Sequence, residues 1–177
     1  MRQACVGERL ADTEKLAVPQ EISVSPSHDP RATAGIPLPI TIRQAIPSDL
    51  DWLLGQLREF SQFNATKHDL FGDGIEARAG MLAMIDGHFV RIAERDGLRM
   101  GFISAYYVAH PWNSKIQMLL ETFWWVDEQY RRSSAALRLL EEFISWARGN
   151  RVRWITFSLI ENSPVNERVL LNRGFVR

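Results

Sequence analysis

Cysteine is almost absent from this chain of 177 residues, in which Cys5 is the single example. One cysteine cannot form an internal disulfide, so nothing points to the disulfide framework of a small secreted protein. Long hydrophobic runs are missing too: no segment approaches the roughly eighteen apolar residues of a membrane-spanning helix, and the N-terminus has no apolar signal core. We therefore expect a soluble, cytoplasmic protein with no membrane partner.

Recognisable metal and hydrolase motifs are also missing. His68, His88 and His110 have neither metal-ligand spacing nor a cysteine partner, so we expect no metal site. The sequence has no Gly-x-Ser-x-Gly elbow and no Walker loop. Isolated histidines are more often structural or exposed than ligands.

The chain has no excess of either charge, because 21 lysines and arginines balance 21 acidic residues. Residues 128–177 are nevertheless basic, with nine arginines against five glutamates. A phosphate-rich ligand would explain this local excess, and so would a solvated basic helix face. Nucleic acid is a poor candidate for the partner, because its recognition needs a broader basic stripe.

The composition divides the chain into two parts. Residues 1–38 are rich in proline, serine, alanine, glycine and charges, and they predict a disordered, mobile tail. Residues 39–177 predict one folded domain, since a chain of this length with 46% hydrophobic residues can bury a substantial core.

The folded part predicts elements in the order strand, helix, helix, three strands, helix, strand, helix. Alternating hydrophobicity and a turn signal at 95–98 predict strands over residues 40–44, 89–93, 100–108, 117–126 and 152–159. Apolar residues at helical spacing predict helices from residue 47 onward, over 75–85, over 135–149 and over 164–174. For the first helix we expect Ser48 as the N-cap.

The junction between the fourth strand and the third helix is the most informative segment. It is a turn with small side chains, which let a ligand approach the backbone; these are Ser133, Ser134, Ala135 and Ala136. A helix N-terminus there offers unpaired N–H groups and a favourable dipole to phosphate. Arg131 and Arg132 add two positive charges. The junction therefore predicts a phosphate-binding turn.

This junction resembles the acetyl-CoA-binding core of the GCN5-related N-acetyltransferase (GNAT) superfamily, whose pyrophosphate loop reads Gln/Arg-x-x-Gly-x-Gly/Ala. Arg131 and Ala136 match its first and last positions, and Ser134 replaces its middle glycine. The order of elements and the closing Gly174-Phe175 extend the resemblance to about 135 residues. It implies an α/β (α+β) fold with a mixed, mostly antiparallel central sheet flanked by helices, and acetyl-CoA as the cofactor. The chain resembles bacterial and bacteriophage members of the superfamily.

Two departures from the family stand out. Leu170 occupies the position where members often carry a tyrosine that protonates the departing thiolate of coenzyme A. The family also usually adds two strands after the last helix, and these C-terminal strands are missing here. Either a sheet edge is left open, through which copies of the chain could pair, or a partner supplies strands.

The resemblance implies a role for each site residue. Glu121, near the start of the strand before the loop, would remove the proton of the acceptor amine, usually through water. The backbone of Val126 would bind pantetheine and polarise the thioester carbonyl. The loop Arg131, Arg132, Ser133, Ser134, Ala135 and Ala136 would hold the pyrophosphate, and Asn162 would contact coenzyme A.

Alternatives remain for the proton-transfer groups. Glu121 is equally well explained as an edge-strand charge or an ion-pair partner, and His110 is the alternative base. For the acid we single out Tyr130, just before the loop, while Ser163 or water could also serve.

Two functions are compatible with these features. The first is acetyl-CoA-dependent transfer of an acetyl group to a primary amine, on a small molecule or a protein, by direct attack. The second is a catalytically degenerate domain that binds a partner or serves a structural purpose, as in some bacteriophage proteins. The loops around 61–80 and 108–116 would hold the acceptor, with an apolar rim formed by Phe63, His68, Phe71 and Trp112.

Overall fold

A five-stranded sheet with the order β1-β2-β3-β4-β5 forms the centre of the computed structural model, which describes residues 38–63, 74–159, 163 and 165–176. The strands are β1 Thr41–Gln44, β2 Phe89–Arg95, β3 Leu98–His110, β4 Asn113–Val126 and β5 Trp154–Thr156. Antiparallel pairing joins β1 through β4, and β5 runs parallel to β4. This is the mixed, mostly antiparallel sheet that was predicted.

Helices flank the sheet on both faces. They are α1 Leu50–Phe63, α2 Ile75–Gly87, α3 Ala135–Gly149 and α4 Arg168–Leu171. The buried residues of α3 recur at helical spacing and are Ala135, Leu139, Leu140, Phe143, Ile144 and Ala147. The structure thus confirms α3 and its apolar face. In the described part of the chain, no helix is long and apolar enough to cross a membrane.

Each face of the sheet has its own hydrophobic core. The core under α3 and α4 includes Phe89, Ile103, Leu119, Phe143, Phe157 and Phe175. The core under α1 and α2 includes Leu53, Leu57, Met84, Phe102 and Trp125. Trp124 packs against the first core and Trp125 belongs to the second, so these neighbours in β4 point to opposite faces.

The β2–β3 hairpin follows from its turn residues. Asp96 has φ 53° and Gly97 has φ 72°. Two consecutive residues with positive φ are what a type I′ turn requires, and an Asp-Gly pair adopts them readily. The hairpin places β3 beside β2 as predicted.

The start of the first helix differs from the prediction. Ser48 is not the N-cap, because the Asp49 carboxylate accepts the N–H of Ile46 at 2.9 Å in a 3-10 turn that precedes α1. Asp49 is buried, and the guanidinium groups of Arg43 and Arg99 approach it at 2.6 and 3.0 Å. A carboxylate can accept the Ile46 N–H and also pair with the two guanidinium groups, which a serine hydroxyl cannot do. A local capping pattern does not reveal these two cations.

The C-terminal elements are shorter than predicted. β5 has three residues and α4 has four, and Gly174 ends the following turn with φ 88°. Leu170 is 3% exposed and packs in the core under α3. Among the described residues no strand follows β5, whose only partner is β4. The predicted tail, residues 1–38, lies outside the described residues except for Leu38.

Candidate active site

The strands β4 and β5 separate partway along the sheet. Their parallel pairing covers three positions and ends at Leu120 and Thr156. Directly afterwards β4 has a β-bulge, in which Thr122 is the extra residue between Glu121 and Phe123. A gap therefore opens in the sheet beside the bulge.

Glu121 stands at the beginning of this gap. Its Oε2 accepts the backbone N–H of Ser158, just beyond the end of β5, at 3.1 Å. Burial raises the pKa of Glu121 to about 7, and the hydrogen bond from Ser158 offsets only part of that effect. No basic side chain of the described residues forms a salt bridge with it. A carboxylate with this pKa can accept a proton and release it near neutral pH.

The end of β4 directs backbone groups into the same gap. The Asp127 N–H donates to the Met100 carbonyl at 3.0 Å, and Val126 pairs with Gly101. Since hydrogen-bonded and non-hydrogen-bonded pairs alternate in antiparallel strands, the N–H and C=O of Val126 point away from β3. They therefore face the side where β5 has separated.

A cleft of about 390 Å³ lies between the end of β4, the following turn and the segment around α4. Its lining combines apolar walls with a few polar groups and consists of Trp124, Trp125, Val126, Arg131, Ser133, Ala136, Leu137, Val165, Asn166 and Val169. The volume and this mixture are typical of a small-molecule or cofactor site.

The turn at the mouth of the cleft has the small residues and the helix start that were predicted. Ser133 lines the cleft, and its Oγ accepts the Ala135 N–H at 3.2 Å. Ser134 precedes α3, and its carbonyl accepts the Arg138 N–H at 3.0 Å. Within the described residues no acceptor is found for the N–H of Ala136, in the first turn of α3. That group is free for an anionic ligand.

Arg131 does not extend freely from the turn. Its guanidinium carbon lies 4.5 Å from the ring centre of Trp125 and 4.8 Å from that of Phe63, the last residue of α1. Its Nε–H also donates to the Val126 carbonyl at 3.2 Å. Arg132 is exposed, and its side chain forms no salt bridge or hydrogen bond with another described residue. Of the two charges, Arg132 is therefore the freer one for a phosphate.

The structure does not bring every candidate to the cleft. Tyr130 lines a separate cavity of about 300 Å³ with Leu38 and Arg95. His110 is five residues beyond the partner of Glu121 along β3, roughly 17 Å away, and stacks on Trp154. Asn162 lies outside the described residues, as do His68 and Phe71.

Several residues of the candidate site were not predicted from the sequence. Ser158 donates to Glu121, and Val165, Asn166 and Val169 line the cleft. These four lie in stretches that were interpreted as regular strand or helix, and no local pattern marks them as site residues. Ser163, the alternative acid, lies just before the predicted helix, and its Oγ accepts the N–H of Val165 at 3.2 Å.

A second cavity of about 290 Å³ lies on the opposite face of the sheet, between α1, α2 and the strands β3 and β4. It is lined by Leu57, Glu76, Ala77, Gly80, Met81, Met84, Ser104, Tyr106, Thr122 and Phe123. Thr122 is the bulge residue next to Glu121, so this cavity reaches β4 at the bulge, whereas the cleft reaches β4 just beyond it, at residues 124–126. No group of metal-ligating side chains occurs among the described residues.

Comparison with known families identifies one match, to the model of the acetyltransferase (GNAT) family over residues 54–175. This range includes the bulge, the cleft and the turn before α3. No curated protein matches the sequence.

Solved structures share the fold at low sequence identity. A predicted acetyltransferase from Clostridium acetobutylicum, crystallised with acetyl-CoA, is 15% identical with a TM-score of 0.64, over 78% of this chain and 90% of that one. The ribosomal-protein-alanine N-acetyltransferase of Brucella melitensis biovar Abortus 2308 is 13% identical, TM-score 0.59, over 78% and 92%. A soil-metagenome aminoglycoside acetyltransferase in complex with trehalose is 13% identical, TM-score 0.55, over 76% and 86%.

Proposed function

The chain belongs to the acetyltransferase (GNAT) family, and we propose that it transfers an acetyl group from acetyl-CoA to a primary amine with Glu121 as the base. The observation that carries this proposal is the position of Glu121. Its carboxylate lies at the gap between β4 and β5, with a cofactor-sized cleft on one face of the sheet and a smaller cavity on the other. Two reactants held in these cavities would meet beside it.

The lining of the cleft fits acetyl-CoA. The N–H of Ala136 and the exposed guanidinium of Arg132 lie at the turn, where a pyrophosphate needs donors and positive charge. Val126 directs its N–H and C=O into the gap, where the amides of a pantetheine arm can pair with them as a strand would. The apolar walls of Trp124, Leu137 and Val169 suit the rest of the arm.

Glu121 performs the proton transfer in this proposal. Acetyl-CoA, held in the cleft, would supply a thioester whose carbonyl carbon is attacked by the neutral amine nitrogen; the C–S bond would break, and coenzyme A would leave as the thiolate and take its proton from water. The amine must lose a proton, and the Glu121 carboxylate accepts it directly or through one water. Its pKa of about 7 matches that task near neutral pH, since a stronger acid would hold the proton too weakly. Tyr130 lines another cavity and receives no role in this proposal.

One observation favours a second candidate function. Leu170 fills the core where related enzymes often carry a tyrosine, so this position has no acid to offer. A domain that binds a partner without catalysis would tolerate this change. The edge of β5 would then pair with a second copy or with another protein.

Thermal unfolding with and without excess acetyl-CoA separates the two functions. A ligand at a hundredfold excess over its dissociation constant adds about 2.7 kcal/mol, which a melting curve detects easily. We expect a clear rise in Tm with acetyl-CoA and little with ADP. No rise would refute the cofactor site.

A second experiment tests the base. Glu121→Gln should lower turnover strongly while the dissociation constant of acetyl-CoA stays nearly the same, because the carboxylate acts on the amine. The matched control is Glu128→Gln, an exposed glutamate outside the cleft. Equal turnover in both variants would remove Glu121 from the mechanism.

A further inference from the structure

The cavity under α2 is placed to receive the acceptor. It opens on the α1 and α2 face and reaches the bulge residue Thr122 on β4. The cleft with the phosphate turn lies on the α3 and α4 face and reaches the same strand at Trp124 and Val126. A molecule in this cavity therefore approaches the bulge, next to Glu121 in the chain, from the side opposite the cofactor cleft.

The walls of the cavity are mostly apolar. Leu57, Met81, Met84 and Phe123 contribute large apolar side chains. The two methionines are unbranched and polarisable, so they adapt to flat or branched groups and make favourable contacts with aromatic rings. Such walls stabilise a hydrocarbon body and give a strongly hydrated polycation no compensation for the water that it loses.

Polar groups are confined to a few positions in this cavity. Ser104 is fully buried, and its Oγ lies 2.8 Å from the Oγ1 of Thr122. Since one hydroxyl donates to the other, acceptor lone pairs remain that can take a hydrogen bond from an amine N–H. Glu76 is the single acidic residue among the described lining residues, and none of them is basic. These groups match one cationic nitrogen.

Gly80 contributes space rather than packing. It lies in the interior of α2, where glycine costs about 1 kcal/mol relative to alanine. A Cβ built on it would meet no atom within 4 Å, so neither contact nor backbone geometry requires glycine there. A larger side chain at this position would project into the space that the cavity provides.

We propose that the acceptor is a small primary amine with one positive charge and an aromatic or branched aliphatic body, bound in this cavity. This inference rests on the proposed acetyl transfer and adds the class of substrate. The volume of about 290 Å³ is at the lower end of ligand sites, which favours a small monoamine over a larger, more hydrated aminoglycoside. The body would lie against the methionines and Phe123, with the nitrogen directed to the hydroxyl pair beside the bulge.

The test compares three amines on the full-length protein: 2-phenylethylamine, spermidine and kanamycin. Binding is measured by calorimetry in the presence of saturating coenzyme A, which permits no turnover, and kcat/KM is measured separately with acetyl-CoA. We expect 2-phenylethylamine to bind tightest and to have the highest kcat/KM, by at least about tenfold, since each misplaced methylene in an apolar pocket is worth that much. A preference for spermidine or kanamycin would overturn the proposal.

Two glycine variants locate the site. Gly80→Leu should weaken binding of 2-phenylethylamine by about tenfold or more, with an unchanged dissociation constant for acetyl-CoA. Gly87→Leu, at the exposed end of the same helix, is the control and should bind as the parent does. If Gly80→Leu binds the amine normally, the acceptor lies elsewhere. If the unsubstituted protein does not bind acetyl-CoA, the proposed function itself is refuted.

Discussion

Replacing Glu121 by glutamine should stabilise the protein above neutral pH. The carboxylate is half-buried at the gap between β4 and β5, where one hydrogen bond, from the Ser158 N–H, compensates its charge only in part. Its pKa is therefore raised from 4.5 to about 7. A neutral amide of nearly the same shape keeps an acceptor for the Ser158 N–H and has no charge to bury. The substitution thus removes the free-energy cost of holding a charged, partly desolvated carboxylate in the folded protein.

The sign and size of the effect follow from the two pKa values. Below pH 4.5 the Glu121 carboxyl is protonated in both the folded and the unfolded protein, so it does not change the free energy of unfolding with pH. Between 4.5 and about 7 the unfolded chain has lost the proton and the folded protein keeps it, so the free energy of unfolding of the parent falls as pH rises. The full cost is present above pH 7. A shift of this size corresponds to about 3 kcal/mol, and we expect about 2 because Glu121 is not completely buried.

Urea unfolding of the parent and of Glu121→Gln from pH 5 to pH 8 measures this directly. The stability of the variant relative to the parent should rise across that range and level off above pH 7. Glu128→Gln, which changes an exposed carboxylate, should stay within about 0.5 kcal/mol of the parent at every pH. A difference that does not change with pH would show that the Glu121 carboxyl has an ordinary pKa. The argument for a base poised near neutrality would then lose its physical support.

Two further predictions concern the cofactor side. Arg132→Gln should weaken acetyl-CoA binding at low salt and much less at high salt, because salt screens an exposed charge. Arg131→Gln should lower Tm and weaken acetyl-CoA binding at both salt concentrations, because the Arg131 guanidinium packs on Trp125 and donates to the Val126 carbonyl at the end of β4. Calorimetry at two salt concentrations checks this, and identical salt dependence would contradict it. Gly101→Ala should destabilise the protein by about 1–3 kcal/mol in thermal unfolding, because the added Cβ would lie 2.8 Å from Val126 Cα. Gly55→Ala, whose Cβ would have no atom within 4 Å, should stabilise the protein slightly. Equal effects of the two substitutions would refute the close approach of Gly101 to Val126.

Local sequence signals predicted much of this fold. The helical spacing of apolar residues predicted α3, whose six buried residues follow that spacing, and the turn signal at 95–98 predicted the hairpin turn. These features depend on residues within a few positions of one another, so short-range rules suffice. The same holds for the turn before α3, whose small residues and helix start lie next to each other in the chain.

Long-range contacts explain what the sequence did not reveal. The Asp49 carboxylate, rather than Ser48, bonds the start of the first turn, and Arg99, about fifty residues away, approaches that carboxylate. Arg131 was interpreted from its position in the turn, yet its charge rests on Trp125 and on Phe63 at the end of α1. Local patterns carry no information about such partners, because folding brings them together from distant parts of the chain.

The bulge in β4 shows why the active site in particular escapes a simple sequence pattern. Under strict alternation, residues 119 and 124 would face opposite sides of the sheet. In the structure Leu119 and Trp124 both pack on the α3 face, and Phe123 packs on the α1 face, because Thr122 adds one residue to the strand. The extra residue exchanges the two faces beyond it. It thereby directs Trp124 into the cleft and Phe123 into the cavity on the other face, and Glu121, the base in the proposed reaction, lies next to the residue that causes this exchange.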